Sequence, residues 1–227
     1  MTTLTQEQPL KFAAGDILSP DEFLRRWELM PWIKKAELIR GRVYMAAALK
    51  APHGDSDSIL IGWLIHYVWA TPVCTASSNA TCFIGTDIPQ PDSHLRLLPE
   101  YGGKCRLDDD DYIHGPPELI IEICNSSAAY DLNVKKELYC KEGVAEYITV
   151  LLQEREIRWH RLIGGQYQLL ELPPDGILRS AAYPGLWLDT QAFLKNDLSG
   201  VMTVLDEGLK SGEHAEFISR LQARGKN

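Results

Sequence analysis

The stretch PPELIIEICNSSAAYDLNVKKELYCKEGVAEY, residues 116–147, decides the fold. ELIIEIC is a short apolar run rich in β-branched residues and bounded by Pro116 and Pro117, which is the pattern of a buried strand. Glu122 lies inside that run, between Ile121 and Ile123. A carboxylate there is costly unless a cation or a set of donors compensates it. Tyr130 to Glu142 reads as a helix, with Asp131 near its start and Gly143 suited to its C-terminal exit. AEYITVLL then reads as a second strand, so the stretch is a β-loop-α-β unit.

Working outward, REIRWHRL and QYQLLEL are two further strands joined at Gly164-Gly165. YPGLWLD is extended, and residues 190–224 carry two or three short helices. Upstream, SPDEFLRRWELM starts a helix: Ser19 caps, Pro20 takes the first helical position and Glu22 completes a capping box. AELIRGRVYMAA is a hairpin turning at Arg40-Gly41. Residues 53–70 form a helix with apolar residues on most faces, suited to a core or a subunit contact. ATCFIGTDIPQPD, 80–92, reads as a strand ending at prolines, and 93–116 reads mostly as loop. The expected organisation is a flexible arm over 1–18, one α/β domain with a mixed sheet over 19–190, and a helical extension over 191–227.

The 227 residues, 45% hydrophobic, suffice for one substantial core. The net charge of -8 and the lack of a long basic run do not imply strong non-specific binding to nucleic acid. They do not exclude a nuclease, whose metal-binding carboxylates add negative charge. Five cysteines without CxxC spacing fit free thiols rather than a disulfide framework or a zinc site. The opening MTTLTQEQPLKF lacks the apolar core of a signal peptide, and ILIGWLIHYVWA (59–70), interrupted by His66, is too short to span a bilayer. A cytoplasmic protein without a membrane partner is the expectation. The DDDD run at 108–111 lacks calcium-loop spacing and reads as a solvated loop, and Gly102-Gly103-Lys104 as a turn. Ser126-Ser127 has no recognisable nucleophile motif around it. Trp63, Trp69, Trp159 and Trp187 read as core residues or subunit contacts.

Asp92, after Pro91, and Glu122 are the two acidic positions that matter for chemistry. Carboxylates from neighbouring strands can hold Mg²⁺ against a scissile phosphate, and a nearby ammonium can steady the developing charge. Taken alone, Asp92 also fits an ordinary turn, Glu122 a core pair with an arginine, and Lys135 a solvated helix face.

PQPD (89–92), PPELIIEICNSS (116–127) and YDLNVKKELYCKEGVAEY (130–147) together resemble the Uma-two group of restriction-endonuclease-like bacterial proteins, within the PD-(D/E)XK nuclease superfamily. AELIRGRVYMAA and the helix start at His53 extend the resemblance, which covers roughly residues 20–190. It implies a restriction-endonuclease-like α/β fold, a central mixed sheet flanked by helices. It further implies a Mg²⁺- or Mn²⁺-dependent endonuclease acting on DNA, often as a homodimer. Matched residue by residue, Asp92 is the Asp of the "PD" motif and Glu122 the acidic residue of "(D/E)XK". Cys124 stands where that motif expects lysine; the basic group moves to the helix, where Asp131, Lys135 and Tyr139 match a D-x-x-x-K-x-x-x-Y pattern. Lys135 is the candidate, with Lys136 as its neighbouring alternative. Glu37 supports the site, and the Ile123 carbonyl joins Asp92 and Glu122 as a metal ligand. His53 reads as a helix-end residue, and Tyr139 as packing. A non-catalytic binding or assembly protein keeping the same fold is the alternative. It expects both carboxylates tied up by protein side chains, with no open groove leading to them.

Overall fold

The computed structural model describes residues 11–125 and 128–225. Helix α1 (Pro20–Glu28) starts as expected, with the Ser19 side chain accepting the Glu22 backbone N–H. The reciprocal half of the capping box is absent, because Arg25 and Arg26 take the Glu22 carboxylate at 2.8 and 2.5 Å. Strands β1 (Ala36–Ile39) and β2 (Arg42–Met45) pair antiparallel through Arg40 and Gly41, both at positive φ (53° and 72°). That geometry twists a two-residue turn to suit its strands. The start, 1–10, lies outside the described residues, but the rest of the expected arm is docked. Phe12 is buried against Phe23, and Gly15, Asp16 and Leu18 share backbone hydrogen bonds with the hairpin.

Helix α2 (Ala51–Ala70) leads to β3 (Cys74–Ser78), β4 (Cys82–Phe83), β5 (Ser93–Leu97), β6 (Arg106–Leu107), β7 (Ile113–His114) and β8 (Leu119–Cys124). Next, α3 (Ala128–Tyr130) runs through a π-helical turn (Asp131–Lys135) into α4 (Lys136–Glu142). The chain continues through β9 (Glu146–Leu151), β10 (Glu156–Ile163), β11 (Gln166–Leu169), β12 (Ile177–Arg179) and β13 (Trp187–Asp189). It closes with α5 (Thr190–Leu194), α6 (Leu198–Leu209) and α7 (Gly212–Arg224). The main sheet is mixed and six-stranded, in the order β11-β10-β9-β8-β5-β3; β8 and β9 are parallel and the other neighbours antiparallel.

Two expectations change here. The strand read over 80–92 shrinks to β4, and the segment read as loop from residue 93 opens with β5, which sits inside the sheet between β3 and β8. His94 and Arg96 disguise β5 by breaking its apolar pattern, although His94 is fully buried. β3, CTASS at the sheet edge, offers the core only the small residues Cys74 and Ala76, too weak an alternation to read as a strand.

Period-2 geometry divides β8 between two cores. Leu119, Ile121 and Ile123 join α2 and the C-terminal helices in the larger one, worth about 2 kcal/mol for each fully buried side chain. Ile120 joins Leu138, Tyr139 and Tyr147 on the opposite face, and Glu122 shares that face. Val201, Leu205, Phe217 and Leu221 place α6 and α7 in the larger core, so the C-terminal helices are packed against the domain. Trp63 and Trp159 meet edge to face inside it, whereas Trp69 is 85% exposed on α2. Among the described residues no helix is long and apolar enough to cross a membrane.

Candidate active site

The crossover from β8 to β9 places the helix over the face of the sheet that carries Glu122. Its first turns are π-helical, which a reading of Tyr130–Glu142 as one regular helix misses. π-Helical turns are rare and concentrate at functional sites. Here the Tyr147 hydroxyl donates to the Asp131 carbonyl at 3.0 Å. Asp131, Lys135 and Tyr139 all turn inward and are buried. The Lys135 ammonium reaches Glu122 Oε1 at 2.9 Å and Glu37 Oε1 at 2.8 Å, with Asp131 Oδ1 at 3.7 Å. Lys136 points elsewhere and is part-exposed. The Tyr139 hydroxyl also donates to Glu122 Oε1, at 2.9 Å, so this tyrosine does more than pack.

Asp92 sits at the entrance to β5 rather than at the end of a strand. Its Oδ2 accepts the Ile123 backbone N–H at 2.8 Å, which ties it to the strand that carries Glu122. Lys35, unmarked by any motif, donates to Oδ1 at 2.6 Å, and His53 Nε2 lies 3.4 Å from Oδ2. His53 is therefore more than a helix-end residue. Glu37 stands in β1, where its Oε1 also accepts the Gln90 N–H at 2.7 Å.

Burial works to raise the Asp92 carboxyl, but His53, Lys35 and the Ile123 N–H together hold it well below the usual range. The Asp92 carboxylate in turn raises His53 against its own burial. Burial also opposes the Lys135 charge, yet Glu122, Glu37 and Asp131 outweigh it and keep the ammonium protonated. Glu122 is driven upward by burial and by Asp92, Asp131 and Glu37, against the pull of Lys135. An added cation would relieve that repulsion.

Asp92, Glu122, Lys135, Glu37, Asp131 and His53 all line one cavity of about 360 Å³. The DDDD run is elsewhere: Asp108 caps its own loop and pairs with His114 at 2.6 Å. The donor chemistry fits a hard divalent ion, since Mg²⁺ takes one or two carboxylates and completes its shell with water and phosphate oxygens. Among the described residues no three His, Cys, Asp or Glu side chains form a ready-made cage. Lys35 would compete with an ion for Asp92.

A family model described as "Putative restriction endonuclease", Uma2, matches residues 20–191. The chain belongs to the Uma2 family. Its fold is also that of a crystal structure from Anabaena variabilis described as "a putative nuclease belonging to DUF820". The two superpose with a TM-score of 0.59 at 15% identity, over 83% of this chain and 99% of the other. No curated protein matches the chain.

Proposed function

We propose that this Uma2 protein is a Mg²⁺- or Mn²⁺-dependent endonuclease that hydrolyses phosphodiester bonds in DNA. The observation that carries the reading is the single cavity that receives Asp92, Glu122 and Lys135 from three separate segments. Family membership and the likeness to a structure described as a nuclease support it. Asp92 and Glu122 would hold the ion, joined by the Ile123 carbonyl. When bound, it would supply Lewis acidity and a water ionised near neutral pH. Lys135 would orient the attacking water and neutralise charge on the phosphoryl oxygens. Glu37 would fix the Lys135 ammonium, and Tyr139 the Glu122 carboxylate. Four free cysteines buried in the core and one part-exposed suit a reducing cytoplasm. A homodimer through the outer face of α2, where Ile65 and Trp69 are exposed, belongs to the same reading.

One observation favours a non-catalytic protein instead: Lys35 and Lys135 already pair with both carboxylates. Cleavage of supercoiled, linear and branched DNA with Mg²⁺ and Mn²⁺, beside Asp92→Ala and Glu122→Ala, separates the two. Metal-dependent cleavage lost in both variants supports the nuclease. Neither cleavage nor Mn²⁺ binding by the wild type supports the non-catalytic reading.

A further inference from the structure

Access to the carboxylates restricts the form of the substrate. Asp92 and Glu122 are only 5% and 3% exposed, at the bottom of the cavity of about 360 Å³. That volume lies near the lower end of the roughly 300–1,000 Å³ of small-molecule pockets. A base-paired duplex is a stiff rod with a persistence length of about 50 nm, and its phosphates cannot leave the helix surface without unpairing or kinking. A single strand turns sharply and can feed one nucleotide into such a space.

The rim has the two chemistries that a single strand presents. One side is the irregular segment 46–50 and its flanks, where Met45 and Leu49 are 41% and 63% exposed. Tyr44, stacked on Tyr130 with ring centroids 4.3 Å apart, continues this apolar wall inward. Unpaired bases expose π-faces that can stack on rings such as Tyr44 and lie against the apolar side chains beside it, whereas a duplex keeps them covered. The end of the same segment is cationic. Lys50 is exposed at the N-cap of α2, and the first turn of that helix has no acidic residue to offset its dipole. Lys35 lies deeper on the route to Asp92. Aromatic rings beside cations that track phosphates are the common means of holding single-stranded nucleic acid; here Tyr44 and Tyr130 supply the rings, and Met45 and Leu49 extend their apolar surface outward.

We infer that the site acts on unpaired DNA (a single strand, a flap or a frayed end), with bases on the Met45–Leu49 rim and phosphates led inward past Lys50 and Lys35. The inference rests on the nuclease reading for its chemistry but has a separate test. Fluorescence anisotropy with one labelled DNA sequence, as a single strand and as a blunt duplex, reads binding in EDTA without cleavage. The single strand is expected to bind at least tenfold tighter. A Met45→Ser, Leu49→Ser double variant should weaken single-strand binding about fivefold and leave duplex binding unchanged; both residues are exposed, so the fold is not at risk. In Mg²⁺, single-stranded DNA should be cleaved at least tenfold faster than duplex. Duplex bound or cleaved as well as the single strand overturns the inference, as does an unchanged double variant or tighter binding of the matching RNA strand. Cleavage of both forms at equal rates, abolished in Asp92→Ala, would overturn the strand preference alone. Selective single-strand binding with no cleavage of any DNA would support the rim and overturn the nuclease.

Discussion

Glu118 and Glu122 stand at the edge and in the middle of one strand, and both are buried. Glu118 accepts the Leu97 and Lys104 backbone N–H groups at 2.9 and 3.2 Å and the Tyr183 hydroxyl at 3.2 Å. It ties the loop after β5 to the sheet. That loop comes so close that a Cβ on Gly103 would lie 2.1 Å from the Leu97 carbonyl oxygen. Among the described residues no backbone N–H donates to the Glu122 carboxylate; a lysine and a tyrosine meet it on one oxygen, and it lines the cavity. Burial alone therefore does not single out the acid proposed to bind metal. Fixed backbone donors make a brace, whereas an ammonium beside open space leaves a carboxylate able to exchange partners.

The sharpest way to break this contrast is to neutralise each acid in turn. Glu122→Gln should lower the cleavage rate about a thousandfold. Glu118→Gln should leave the rate per folded molecule within about twofold, since it touches no group in the cavity. Initial nicking rates, normalised to the folded fraction measured by circular dichroism, check both; equal losses would erase the distinction.

The lysines offer the next test. Lys135→Met should cost about a hundredfold in rate and Lys136→Met less than about twofold, because only Lys135 reaches Glu122. Matching losses in single-turnover assays would shift the basic group to the neighbour.

Stability tests the brace directly. Glu118→Ala strands three donors and should lower the free energy of unfolding by about 3 kcal/mol in urea melts. A change under about 1 kcal/mol would mean that Glu118 is no brace.

The smallest effect concerns a buried imidazole whose charged neighbours, Lys136 and Arg158, are both cations. Burial pushes the His160 imidazole down from 6.5 to about 4, and its Nδ1 has no hydrogen-bond partner among the described residues. The unfolded chain therefore binds more protons between those values, and this contribution to stability is lost as pH falls from about 6.5 to about 4. His160→Phe should remove roughly 1–2 kcal/mol of that acid-side loss. Thermal melts at pH 7, 6, 5 and 4 measure it, and an unchanged slope would place the sensitivity elsewhere.

How much of this was legible beforehand depended on the distance along the chain over which a feature is decided. The strand-helix-strand order from β8 to β9, the Arg40-Gly41 turn and the presence of two or three short C-terminal helices follow from periodicity and turn chemistry, which act over a few residues. Glu122 and Lys135 are 13 positions apart within one such unit, so a local motif could propose the pair. Lys35 and Asp92 are 57 positions apart, and no local pattern links them. The place of β5 inside the sheet, the π-helical turn held by Tyr147 and the different fates of Glu118 and Glu122 likewise depend on donors brought from distant segments. The sequence by itself determined most of the elements, because apolar spacing encodes which face each must bury, and its motifs, through the family resemblance, pointed to the acids to watch. Only the tertiary structure decided which buried charges meet, because each is stabilised by partners whose approach is set by packing rather than by spacing along the chain.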